Sequence, residues 1–247
     1  MLRLGGVLFA ALFGYLAAAP EVHSCAAREI DGLPYTICEI DPRNTPVRLF
    51  HARDDGTVWG QFDRLDAALR RRGQSLGVAM NAGMYHDDRR PVGHYVEDGV
   101  ETMRVITSDG PGNFGLLPNG VLCIAEDEVR IVESRAYAAA PPPCEFATQS
   151  GPMLVIDGDL HPRFRPDSTS RFVRNGAGVD DDGTLYLAIS DRPVTFHEFG
   201  RVFRDTLGTP NALYLDGNVS RLWAPMIGRR DPGFAMGPII GTVVPEE

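Results

Sequence analysis

Apolar residues along this chain fall into two periods, and each period predicts a different element. Runs of strand length, bounded by Gly, Pro, Asn or Asp, stand at 35–40, 47–50, 76–80, 93–100, 114–117, 121–125, 146–150, 153–156, 185–189, 211–215 and 239–244. Turn residues separate many of them: Asp54-Asp55-Gly56, Asp98-Gly99, Pro118-Asn119-Gly120 and Asp157-Gly158. Helical spacing appears twice. Phe62, Leu65, Ala68 and Leu69 share one face, and Arg70-Arg71-Arg72-Gly73 supplies cations and a glycine stop. Thr195 and Glu198 have the spacing of a capping box, with Phe196, Phe199, Val202, Phe203 and Leu207 on one face and Gly208 after it.

That second helix lies between the strands 185–189 and 211–215. The βαβ order predicts that the two run parallel. The middle of the chain, strand after tight turn after strand, predicts antiparallel pairing. Residues 138–143, three Ala then three Pro, read as an extended connector. The expected fold is α/β (α+β), a single domain on a large, twisted mixed β-sheet with a few helices packed against it.

The N-terminus changes the picture of where this domain works. Arg3 precedes an apolar run at 4–19 that ends in Ala17-Ala18-Ala19, the pattern of a secretory signal peptide. Residues 1–24 are read as the signal, with the cleavage point open, and 25–247 as the domain. A retained anchor and acylation of Cys25 are the alternatives. No later run is long enough to span a membrane, so the processed chain is expected to carry no stable span and to be periplasmic or secreted. Export makes disulfides the natural reading of four cysteines. Of three possible pairings, Cys25–Cys38 and Cys123–Cys144 close the shortest loops. Hydrophobic content of 43% supports a sizeable core, and a net charge of -9 argues against a nucleic-acid partner.

The candidate chemistry sits where apolar runs end on polar residues. The run 212–215 stops at Asp216-Gly217-Asn218, and 76–80 stops at Asn81-Ala82-Gly83. A carboxylate at the end of a buried strand is costly unless paired or put to use. The same kind of position is held by Ser150, Arg171, Asn175 and Asp191. Common motifs are missing: Thr148-Gln149-Ser150-Gly151-Pro152 lacks the first glycine of a nucleophile elbow, and His197-Glu198 lacks the second histidine of a zinc protease. A serine hydrolase through Ser150 would need a histidine within hydrogen-bond reach. The acidic run at 180–182 reads as a solvated hairpin tip, and His86-Asp87-Asp88 as a hydrated loop. Neither metal nor cofactor is expected.

Five stretches, NAGMY at 81–85, GNFGLLPNGV at 112–121, QSGPMLV at 149–155, SRFVRNGAGV at 170–179 and ALYLDGNVS at 212–220, resemble in this order the phosphodiester glycosidase family. Asn218 and Val219 stand where family members usually carry further glycines. The resemblance implies an exported hydrolase that cleaves a sugar-1-phosphodiester at the anomeric carbon, with a carbohydrate or glycan phosphodiester as substrate. It implies Asp216 as the catalytic carboxylate, nucleophile or base, and Arg171 as the phosphate clamp with Arg174 in reserve. Asp191 is either a second carboxylate or the start of a loop. Asn81, Gly83, His94, Ser150, Gly151, Asn175, Gly217 and Ser220 are the expected substrate-binding positions, His94 being otherwise a satisfied buried histidine. The alternative of another class is a non-catalytic cell-envelope module that binds glycans or phosphoglycans.

Overall fold

In the computed structural model, which describes residues 23–216 and 219–246, every strand pairing is antiparallel. The first sheet has seven strands in the spatial order β1 (His23–Ile30), β2 (Leu33–Ile40), β13 (Leu185–Ser190), β12 (Asn175–Val179), β14 (Asn211–Asp216), β10 (Met153–Ile156) and β11 (Asp159–Leu160). The second has five: β16 (Arg229–Arg230), β15 (Leu222–Ala224), β4 (Gln74–Asn81), β17 (Ile239–Pro245) and β3 (Val47–Phe50). The third also has five: β6 (Val100–Met103), β5 (Tyr95–Glu97), β9 (Phe146–Ser150), β7 (Gly120–Ala125) and β8 (Glu128–Glu133).

The architecture is α+β, as the pattern predicts, but the single mixed sheet is replaced by these three. β13 and β14 are indeed parallel, since each is antiparallel to β12, yet β12 lies between them. That intrusion has a cause in the sequence. Gly176 and Gly178 lack side chains, and a Cβ on either would come within 2.8 Å of the Leu213 carbonyl or 2.6 Å of the Phe203 ring. Small residues let β12 lie close beneath the helix, and they also hide it from a search for apolar runs.

The inner faces of the sheets share one core, in which Leu187, Leu213, Met80, Ile240, Leu122 and Phe146 meet. Two helices close the outer faces. α1 (Phe62–Arg70) buries Phe62, Leu65 and Leu69 against the second sheet, at roughly 1.5–3 kcal/mol each. α2 (Ser134–Ala139) is a short helix inside the stretch read as connector, its N-terminus held by the Glu133 carboxylate. α3 (Phe196–Arg201) starts at the expected Thr195–Glu198 capping box and continues through a π-helical turn at Val202–Thr206, packing Phe199 and Phe203 on the first sheet. Residues 114–117, expected as a strand, form turns: Gly115 packs so tightly on Gly110 that a Cβ would lie 2.1 Å from the Gly110 oxygen.

Both expected disulfides are present. Cys25 and Cys38 face each other in the β1–β2 register, and Cys123–Cys144 ties β7 to the stretch entering β9. A disulfide-bonded Cys25 cannot carry a lipid. The proposed signal lies outside the described residues apart from His23 and Ser24, which already pair in β1 with Ile40 and Glu39. Among the described residues no helix is long and apolar enough to cross a membrane.

Candidate active site

Three of the polar strand ends meet. Asn81 closes β4 in the second sheet, while Asn175 opens β12 and Asp216 closes β14 in the first. Asn81 and Asn175 are completely buried, which demands that their amides be satisfied. They satisfy each other. The Asn175 Oδ1 accepts from the Asp216 backbone N–H at 3.0 Å, and its Nδ2 donates to the Asn81 carbonyl at 3.1 Å and Oδ1 at 3.0 Å. The partners on the backbone fix which end of the amide is oxygen. Asn81 Oδ1 takes a second bond from the Arg221 N–H at 3.0 Å. Ser220 then loops back, its hydroxyl donating to the Asp216 carbonyl at 2.6 Å and reaching Asn175 Oδ1 at 3.4 Å. Two asparagines thus clamp the end of one sheet to another and set the backbone that carries Asp216.

The third sheet joins through Ser150 at the end of β9. Its buried hydroxyl donates to the Leu215 carbonyl at 2.8 Å. Among the described residues no histidine contacts it, so the serine-hydrolase reading falls. Gly83 and Gly151 are needed for closeness: a Cβ at Gly83 would lie 2.5 Å from Thr148 Oγ1, and one at Gly151 would lie 2.6 Å from the Asn119 Cβ. Gly217 lies outside the described residues.

Gln149, not singled out from the sequence, is the hub beside this. Its Oε1 accepts from the His94 and Ile106 amides at 3.0 Å, and its Nε2 donates to Ile106 O, Ser134 Oγ and Asn119 Oδ1. The polar triplet Thr148-Gln149-Ser150 within a fully buried strand was the available signal. His94 belongs to that cluster. One ring nitrogen faces the Met103 carbonyl at 2.9 Å and the other the Tyr137 hydroxyl at 3.0 Å, and burial pushes its pKa down. The Glu101 carboxylate, 3.5 Å from Nδ1, works against that shift, and both ring nitrogens are occupied.

The charged candidates separate. Arg171 is nearly half exposed and grips Glu198 with both ends of its fork, at 2.9 and 2.8 Å. Arg174 is 1% exposed, with its guanidinium 3.6 Å above the Phe196 ring. Its Nε donates to the Val194 carbonyl, while Nη1 has no hydrogen-bond partner among the described residues. Burial pushes its pKa down, and the Tyr214 hydroxyl partly offsets this. Asp191 holds a structural ion pair: Arg229 donates to one oxygen at 2.5 Å and Thr36 to the other at 3.0 Å. The loop-start alternative describes it.

Two tyrosines complete the surroundings of Asp216. Tyr214 lies two residues before it on β14, across a β-bulge opposite Asn175 and Gly176. Burial raises its pKa, and the charge of Asp216 adds to the effect. The pKa of Tyr85 is pushed up to about 12, first by burial and then by Asp216. The Asp216 charge thus reaches two phenols that stay protonated. Among the described residues no group of three or more His, Cys, Asp or Glu could hold a metal ion.

Comparison with known proteins bears on this arrangement. A sequence model of the family described as phosphodiester glycosidase matches residues 74–235, a span that holds every residue of the Asn81–Asn175–Asp216 frame. The chain is 33% identical over 184 residues to YigE of Escherichia coli (strain K12), an uncharacterized protein, covering 74% of this chain and 72% of that one. In fold it is similar to the catalytic domain of zebrafish N-acetylglucosamine-1-phosphodiester alpha-N-acetylglucosaminidase, solved as auto-inhibited by its pro-peptide. That match has a TM-score of 0.59 at 14% identity and covers 89% of this chain and 81% of that one. A putative exported protein from Burkholderia pseudomallei K96243 aligns with a TM-score of 0.52 at 12% identity, over 85% of this chain and 74% of that one.

Proposed function

The chain belongs to the phosphodiester glycosidase family, and from that premise we propose that it is an exported hydrolase of sugar-1-phosphodiesters, with Asp216 as the catalytic carboxylate. The observation that supports this most is the convergence of strand ends from three sheets on the backbone of Asp216. A fold that spends two fully buried asparagines and a buried serine on one strand end is fixing the position of something. Hydrolysis at the anomeric carbon passes through an oxocarbenium-like state, which a carboxylate stabilises by its charge or by forming a covalent bond. The phosphate is a good leaving group, so it needs a cation to receive charge more than an acid to supply a proton.

In this reading Arg171 is that cation. The planar fork that holds the Glu198 carboxylate is the geometry a phosphate would take in its place. Arg174, out of reach beneath Phe196, contributes a fixed positive charge beside Tyr214. Tyr85, partly exposed, offers its hydroxyl to the sugar, while Tyr214, 1% exposed, supports the wall behind Asp216. Asn81, Asn175 and Ser220 act as positioning residues, their polar atoms being largely spent on the backbone. Two disulfides and the resemblance to an exported protein support a periplasmic or secreted location.

Hydrolysis of an N-acetylglucosamine-1-phosphodiester in water enriched in oxygen-18 tests the reading. Cleavage of the sugar–oxygen bond puts the label on the sugar. Label on the phosphate would mean phosphorus–oxygen cleavage and would overturn the glycosidase assignment.

A further inference from the structure

A cavity of about 600 Å³ opens between β3, the C-terminal end of α1 and the 51–60 loop, away from the Asn81–Asn175–Asp216 frame. Its volume is that of a small-ligand site. Arg48, Arg53, Arg71 and Arg72 reach its wall from these three elements. None of the four is ion-paired among the described residues, and what sets them apart from other unpaired arginines is that they share one concavity. Unpaired guanidinium groups gathered at one concavity are free to receive an anion, and their forks suit carboxylate or phosphate.

The same wall carries Trp59, half-buried, with the Arg53 guanidinium 4.9 Å from its ring centre. The guanidinium covers one face of that indole, and a sugar ring stacked there would take its place as Arg53 turns to the anion. At the floor, Glu97 accepts from the Tyr95 hydroxyl at 2.8 Å and the His51 amide at 3.1 Å, both through Oε2. Among the described residues Oε1 makes no such bond. Burial raises the Glu97 pKa to about 7, with a smaller contribution from Asp98. Asp54, Asp55 and Asp98 also line the opening, and Asp55 is occupied by the Thr57 amide. The arginines are balanced by the carboxylates when Glu97 is ionised, and the wall is net positive when Glu97 is protonated, its neutral carboxyl then able to donate to a bound oxygen.

We propose that this cavity binds an anionic sugar, its phosphate or carboxylate held by Arg48, Arg53, Arg71 and Arg72 and its ring laid on Trp59. It would anchor a glycan away from the site of cleavage. The proposal does not depend on Asp216 being catalytic, and its test reads binding rather than turnover.

The test titrates the full-length protein in a calorimeter with N-acetylglucosamine-1-phosphate, glucuronic acid, inorganic phosphate and uncharged N-acetylglucosamine. At least one charged sugar binds saturably, and the tighter of the two tells whether phosphate or carboxylate is preferred. That binding persists in Asp216→Asn. It weakens at least tenfold in Trp59→Ala and in the double variant Arg53→Ala/Arg72→Ala, whose residues are exposed enough to leave folding intact. It also weakens as pH rises from 6 to 8, an effect missing in Glu97→Gln. Uncharged sugar binding as tightly as the charged ones would overturn the anion part. Inorganic phosphate binding equally well, with no effect of Trp59→Ala, would overturn the sugar part. No saturable binding of any charged sugar, or affinity within twofold of wild type in both arginine and tryptophan variants, would overturn the whole.

Discussion

Replacing Asn175 by Ala tests whether the buried amide pair is what fixes the end of β14. The change strips the Asp216 N–H of the Oδ1 that accepts it at 3.0 Å and takes a donor from both the carbonyl and the Oδ1 of Asn81. Asn81 keeps the Arg221 N–H, so its side-chain oxygen is only half deprived. The Asp216 amide loses the acceptor it points at. Depriving a part-buried donor of the acceptor it uses costs about 1–3 kcal/mol, and thinning the bonds of two acceptors and opening a small void adds about 1 more. We expect a loss of about 3 kcal/mol, which for a chain of this size lowers Tm by roughly 6–12 °C. Differential scanning calorimetry measures the shift, and turnover at 25 °C, well below the lowered Tm, measures the site. There, kcat should fall by more than KM rises, because in the mechanism proposed above the displaced group is the one that meets the transition state. A Tm within about 1 °C of wild type would refute the energetic argument. A normal Tm deficit with unchanged kcat would refute the claim that the pair positions Asp216.

Three other perturbations follow from single contacts. Gly83→Ala drives a Cβ to 2.5 Å from Thr148 Oγ1 and 2.6 Å from the Gln149 carbonyl, so it should cost about 1–3 kcal/mol by thermal melting; a neutral result would mean that β4 and β9 are not locked there. Glu97 has a folded pKa raised from 4.5 to about 7, so its contribution is fully present below 4.5 and is lost as pH rises through 7. Discounted for its partial exposure, that is on the order of 2 kcal/mol, and Glu97→Gln should melt with a flatter decline between pH 5 and 8 than wild type. Identical slopes would remove Glu97 as the cause. Arg171→Ala gives up a half-exposed ion pair and should cost under about 1 kcal/mol of stability, yet raise KM at least tenfold; an unchanged KM would leave Arg171 as a surface partner of Glu198 only.

What the sequence reveals depends on whether a residue's role is local. The α1 face, the Thr195–Glu198 capping box and most strand cores were legible because their signals are periodic or lie within four residues. Both disulfides were legible because each closes a short loop. β12 was not fully legible, since its glycines are there for neighbours far along the chain and make no apolar run. The single mixed sheet failed for the same reason: adjacency of β13, β12 and β14 is decided by what Gly176 and Gly178 allow to approach. Within the site, Asn81, Asn175 and Asp216 could be picked out as polar ends of apolar runs, though their mutual hydrogen bonds join positions 94 and 41 residues apart. His94 and Asp191 show the opposite limit, each left with two readings by the sequence. Both look reactive in sequence, and only tertiary partners, Met103 and Tyr137 for one and Arg229 and Thr36 for the other, show them occupied. Gln149 was passed over because a lone amide in a strand carries no local sign that five groups will converge on it.

The most direct test of the central claim is release of sugar from an N-acetylglucosamine-1-phosphodiester by the wild-type chain beside Asp216→Asn, with folding of both checked by calorimetry. The account predicts turnover in wild type and a loss of several orders of magnitude in a variant that melts within a few degrees of it. Equal turnover in the two would contradict the role given to Asp216.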